Sequence, residues 1–138
     1  MYRHLISKGA LLAGLLVVLL VVTGCLQCGD GGWGEYKVFC GMSFKGGEVT
    51  EVDWRRFCDE HVTPLFPDGY TSIEATGYWK GSSETTMREN SRVLLIVAPP
   101  DAKAKVVSIA RQYRERFQQE AVLVVTSTGE ALFVEEEP

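Results

Sequence analysis

Five side chains of this sequence are candidates for binding or proton transfer: His61, Glu74, Tyr78, Glu89 and Arg92. His61 follows Asp59 and Glu60, a setting that suits a metal ligand or an acid/base group. It also falls on the apolar stripe of a helix, where a lone histidine is more often a hydrogen-bonded packing residue. The other histidine, His4, lies in the N-terminal segment, and no spacing of His, Cys and acidic residues fits a zinc site. No metal or cofactor is expected. Glu74 and Tyr78 share the face of a strand that points away from the core, and Glu89 and Arg92 bracket the start of the next strand. These residues could line a small-molecule groove in which a carboxylate serves as general base. Polar surface residues on an edge strand are the commoner reading. The chain has no Gly-x-Ser-x-Gly, P-loop or dinucleotide fingerprint, so hydrolase, nucleotidase and oxidoreductase chemistry lack a starting residue.

The four cysteines carry chemistry of another kind. Residues 11–25, LLAGLLVVLLVVTGC, follow a basic start with Arg3 and Lys8 and end in small residues, the layout of a secretory signal peptide. The ending Val22-Thr23-Gly24-Cys25 resembles a bacterial lipobox, which implies cleavage before Cys25 and a diacylglycerol on its sulfur. A retained membrane-spanning helix is the rival reading, since no charge interrupts residues 9–29. The strongly apolar part is only residues 10–22, which favours processing. Either outcome puts the rest of the chain outside the cytoplasm, in the cell envelope. With Leu26 after the cysteine, sorting in a diderm host is expected to lead to the outer membrane. Outside the cytoplasm Cys40 and Cys58 could bridge, provided their Cα atoms lie within roughly 4.4–6.8 Å. Two buried free thiols are the equal alternative.

Composition bounds the partners. Cleavage after residue 24 leaves 114 of 138 residues, one ordinary domain. Losing Arg3 and Lys8 leaves 12 basic against 18 acidic residues, so the formal charge moves from −4 to −6. Such a domain has no electrostatic footprint for phosphate backbones, so nucleic acid is not expected as a partner. The expected membrane tether is the acyl chain rather than a basic patch.

The elements that must position these residues follow from pattern. Residues 25–35 are rich in glycine and read as a flexible tether. Residues 36–44 alternate as a strand, and residues 45–48 turn. Thr50-Glu51-Val52-Asp53 is a variant capping box opening a helix, with Trp54, Phe57, Cys58, His61, Val62 and Leu65 on one face. Pro64, Pro67 and Asp68-Gly69 stop it. Residues 70–80 alternate again, with Ile73, Ala75, Gly77 and Trp79 expected inward, and residues 81–90 read as a polar loop. Residues 91–98 are nearly continuously apolar, as in a central strand. A second helix follows over residues 102–119, then a strand over 121–127, a short return strand over 131–134 and an acidic tail over 135–138. The order predicts an α+β, ferredoxin-like βαββαβ fold: a four-stranded antiparallel sheet with both helices on one face. Residues 36–134 form its single domain.

Several stretches resemble a family of short exported bacterial proteins, family three-five-seven-four of the domains of unknown function. They are Phe39-Cys40-Gly41-Met42-Ser43, Thr50–Phe57, Val62–Gly69, Gly77-Tyr78-Trp79 and Arg88-Glu89-Asn90-Ser91-Arg92. The resemblance spans residues 36–134 and implies export and a shared fold. Where the family often carries arginine before Phe-Pro-Asp-Gly, this chain has Leu65, so an activity resting on that arginine would be missing here. Two functions remain in view. One is a non-catalytic envelope lipoprotein domain that binds a partner or ligand. The other is a small-molecule enzyme of dimeric α+β barrel type. Three of the four strands offer apolar residues on both faces, which predicts a homodimer through the open sheet face unless residues 131–134 or Trp33 fold over it.

Overall fold

In the computed structural model of the chain, which describes residues 32–80 and 85–134, strand β1 (Trp33–Gly41) alternates half-buried and buried residues throughout. Tyr36, Val38 and Cys40 fill the buried positions, as the period of two requires of a strand with one face on the core. The strand begins at Trp33, inside the stretch expected to be tether, and Cys25 lies outside the described residues. It also ends earlier than expected: Ser43–Phe44 (β2) folds back on Gly47–Glu48 (β3) as a separate hairpin.

Helix α1 (Glu51–Phe57) starts at Thr50, whose hydroxyl accepts the Asp53 N–H at 3.1 Å while Asp53 accepts the Thr50 N–H at 3.3 Å. This reciprocal capping satisfies two of the orphan donors of the first turn. Ahead of Pro64 the helix widens into a π-turn over Cys58–Val62, closed by Thr63 N–H to Cys58 C=O at 2.9 Å. Strands β4 (Thr71–Trp79) and β5 (Met87–Ala98) follow. A 3-10 turn at Pro100–Ala102 leads into α2 (Lys103–Arg116), and β6 (Leu123–Gly129) completes the sheet.

The four strands lie in the order β4-β5-β1-β6, every neighbouring pair antiparallel. The fold is the expected βαββαβ arrangement, with β1 and β5 central. Register places Tyr36 opposite Ile96 and Val38 opposite Leu94. Onto this face pack Trp54 and Phe57 of α1 and Val106, Ile109, Ala110 and Tyr113 of α2. The Tyr113 ring meets Trp54 and Phe57 edge-on, at 5.9 and 5.1 Å between centroids. Burying each large apolar side chain here stabilises the domain by roughly 1.5–3 kcal/mol. The Tyr113 hydroxyl donates to the Gly41 carbonyl at 2.8 Å and so pins α2 to the end of β1.

Two boundaries differ from expectation. Strand β5 starts at Met87, within the stretch read as a loop, because Arg88–Asn90 pair with an edge strand that is wet on both sides and therefore carry no apolar alternation. Residues 131–134 form no return strand, and Leu132, Phe133 and Val134 are 78%, 79% and 96% exposed. Phe133 only touches the Trp33 ring edge-on at 6.2 Å. Residues 131–134 therefore do not cover the open sheet face. Among the described residues no helix is long and apolar enough to cross a membrane.

Candidate functional site

Of the helix-side candidates, Arg92 and Glu74 come together. The position of Arg92 opposite Cys40 puts it on the helix-bearing face of β5, and it is opposite Glu74 of β4. Its guanidinium reaches Glu74 Oε1 at 2.9 Å and Glu51 Oε2 at 2.5 Å, while its side chain keeps only 17% of its exposure. One cation thus ties α1 to the edge strand through two exposed carboxylates. This register corrects the expected facing of β4. Glu74 and Tyr78 lie on the helix side of the sheet, and Ile73, Ala75, Gly77 and Trp79 lie on the open side. Tyr78 is nonetheless 70% exposed, because neither helix extends over the outermost strand. On a strand with two wet faces the alternation of residue types does not reveal which face is inward.

His61 sits apart from this cluster. Its ring tilts against Phe57 at 5.0 Å between centroids, and its Nε2 lies 3.3 Å from Arg116 Nη1. Arg116 also pairs with Glu60 at 2.7 Å and holds the Glu60 carboxyl below its usual range. His61 is therefore a packing and hydrogen-bonding residue at the α1–α2 contact, and no metal-binding cluster occurs among the described residues. Cys40 and Cys58 are both free and buried, so the bridge considered from sequence is not formed. Cys40 sits on the sheet floor with its thiol toward the Val38 carbonyl at 4.0 Å, and Cys58 lies against Tyr70. Burial, reinforced by the neighbouring Cys58, pushes the Cys40 thiol far up; burial also raises Cys58. Neither is an activated nucleophile.

Glu89 occupies a different place, at the Gly41 end of the open face. It is opposite Gly77 of β4, two positions from Ser91, which is opposite Gly41 of β1. Both Glu89 carboxylate oxygens lie 2.8 Å, and Gln119 Oε1 2.9 Å, from the point where a Cβ on Gly41 would stand. Ser91 Oγ lies 2.7 Å from the corresponding point on Gly77. Each glycine is thus required by a polar side chain of β5 that fills its side-chain space. Burial raises the Glu89 carboxyl above its ordinary range, partly offset by the Ser43 N–H that it accepts. Among the described residues no cation pairs with it. Ser91, Gln119 and the two glycines carry no sequence signal of a site. The one available clue was glycine inside strand patterns, which marks close approach of another group.

The rest of the open face is apolar. Ile73, Trp79, Met87, Val97, Leu123 and Val125 all project there and are 41–53% exposed. Phe39 and Leu95 are half-buried and Val93 is buried between them. Glu35 and Lys37 form an ion pair at 2.9 Å on the same face.

Residues 35–133 match the model of the family described as Protein of unknown function (DUF3574). The chain belongs to this family. The match confirms the resemblance read from the sequence motifs. No curated protein matches the chain. Among solved structures, the DUF3574 chain is similar to a phage SAM lyase in complex with S-methyl-5'-thioadenosine, with 18% identity and a TM-score of 0.58, covering 75% of this chain and 86% of that one. It is also similar to CutA from Synechococcus elongatus, with 7% identity and a TM-score of 0.50, covering 73% and 80%. At these identities the likeness is one of fold.

Proposed function

We propose that this DUF3574 protein is an envelope lipoprotein, anchored at Cys25, whose domain works as a non-catalytic binding module and self-associates through its open sheet face. The observation that carries the reading is the set of six large apolar side chains exposed on that one face with no cover from the described chain. Four strands of about nine residues span roughly 30 by 19 Å, or about 570 Å². That is at the upper end of the ~300–600 Å² patch a monomer exposes, and side-chain relief brings it toward the ~800 Å² each partner contributes to a standard interface. A second copy is the occupant the chemistry favours. A two-fold contact needs one self-complementary surface, and Glu35 and Lys37 supply opposite charges two positions apart on β1, which two antiparallel copies can exchange. Sedimentation of the chain in density-matched non-ionic detergent tests this. A dimer is expected at micromolar concentration, with Val125→Lys shifting it to monomer; a wild-type monomer that binds no hydrophobic dye would contradict it.

A second reading, an enzyme acting on a small molecule at the same surface, is favoured by Glu89, whose raised ionisation suits a general acid. Mass spectrometry of small molecules released from the purified chain separates the readings. A retained compound that is converted on incubation supports the enzyme, and one released unchanged supports the binding module.

A further inference from the structure

At the α1–α2 contact one histidine and one arginine face the same carboxylate oxygen. Arg116, the last residue of α2, places Nη1 2.7 Å from Glu60 Oε2 and 3.3 Å from His61 Nε2. His61 Nε2 itself lies 3.8 Å from that Glu60 oxygen. Both partners of Arg116 are presented by the π-turn over Cys58–Val62, and single π-turns within helices are rare and frequent at functional sites. The His61 and Arg116 side chains keep only 29% and 30% of their exposure, so the contact is partly withdrawn from water. A guanidinium has five donors and no acceptor. His61 must therefore meet Arg116 with a lone pair on Nε2, which leaves the ring uncharged with its proton on Nδ1. A proton from solvent on that lone pair removes the acceptor and sets two cations against each other.

The charges around the pair are themselves steady in mild acid. Glu60 is held below its usual range by its bond to Arg116, with the charges of His61 and Arg56 adding to it. Asp53 of α1 is held low by Thr50 first, with smaller help from Arg56 and Arg116. Asp59 of the π-turn and Arg56 of α1 are exposed, and on α2 Glu115 pairs with Arg114 at 4.0 Å. We infer that His61 is a proton-operated latch on the C-terminal end of α2. Uncharged, it accepts from Arg116 and helps hold the last turn of α2 against the π-turn. Protonated, it donates its Nε2–H to Glu60 Oε2, displaces Arg116 from that oxygen and frees the end of the helix. The Phe57 ring, tilted against the imidazole at 5.0 Å between centroids, favours the cation through its π-face. Each arrangement thus has partners for its polar groups, and the two differ by one proton. The latch lies on the helix side of the domain and rests neither on a second copy nor on the lipid anchor.

Two-bond nitrogen–proton correlation spectra of the nitrogen-15-labelled full chain in non-ionic detergent test this, since they read which ring nitrogen carries the proton. The chain has one other histidine, His4, so His61→Gln assigns the signals. At pH 8 the His61 ring is expected with its proton on Nδ1 and Nε2 bare. From there to about pH 5, across the range where histidine ordinarily titrates, the Arg116 side-chain N–H signal should move with the same midpoint as the ring. The Phe117 amide closes α2 onto the Tyr113 carbonyl at 3.0 Å. Its protection from hydrogen exchange, corrected for the intrinsic rate, should fall about fivefold over the same range, as expected for one lost hydrogen bond. His61→Gln offers Arg116 a carboxamide oxygen that takes no proton in this range, so its Arg116 signal and Phe117 protection should stay constant. A proton on Nε2 at pH 8, an Arg116 signal that stays in place while the ring titrates, unchanged Phe117 protection in the wild-type chain, or the same fall in His61→Gln would overturn the inference.

Discussion

Glu89 is held where burial disfavours its charged form, offset in part by the Ser43 N–H that it accepts. Its folded-state ionisation lies above that of the unfolded chain, so the native state holds the proton more tightly. Stability linked to this group is fully present below the ordinary glutamate range and is lost as pH rises through the raised folded value. Glu89→Gln should therefore match wild type in acid and become the more stable protein toward neutral pH, as read from urea unfolding across that range. A gap that does not widen with pH would mean that the carboxylate is better solvated than its surroundings imply. Ser91 sets a second test at the same spot. Gly77→Ala would put a methyl 2.7 Å from Ser91 Oγ and should destabilise the domain. In a Ser91→Ala background the nearest remaining contacts are 3.6 and 3.8 Å, so most of that loss should disappear. Equal losses in both backgrounds would show that the hydroxyl is not what excludes a side chain from position 77.

At the scale of elements, α1 is short and leans on its first turn. The Thr50 hydroxyl caps the Asp53 N–H, and Thr50→Ala should cost about 1 kcal/mol, measurable as a lower unfolding midpoint at unchanged denaturant dependence. Hydrogen bonds from Thr50 hold the Asp53 carboxyl below its usual range, so the contribution of the cap is present above the ordinary aspartate range and fades as pH falls through the lowered value. The helix was legible in the sequence because cap, acidic first turn and apolar stripe agreed. Strands β1 and β5 were legible for a related reason, since each has one face buried against helices and a run of apolar residues to fill it. Strand β4 was legible as a strand but not in its facing. Its outer position leaves Glu74, Tyr78, Ile73 and Trp79 all in contact with water, and burial, which assigns a face, is absent there. The Met87–Asn90 end of β5 was lost to the same cause. Of the candidate site, Glu89 and Arg92 were visible as residue types. Which face each one takes depended on a register that pairing with Cys40 and Glu74 fixes.

For the whole molecule, the same alternation that builds the core also builds its counterpart. Every second residue of β1, β5 and β6 is spent on the helix side, and many of the remaining positions are apolar too, so that among the described residues the sheet carries apolar side chains on both faces and helices on only one. Residues 131–134 do not fold across the second face, and among the described residues its large apolar side chains stay exposed. We propose that this surface is a contact between two copies. The most direct measurement mixes carbon-13-labelled and unlabelled chains and records methyl contacts between copies by isotope-filtered nuclear Overhauser spectroscopy. Contacts are expected at the methyls of Ile73, Val97, Leu123 and Val125 and none at Val106 or Ile109, which lie in the core under the helices. A spectrum with no contacts between copies, or with contacts confined to the exposed helix residues Val52 and Val107, would contradict it.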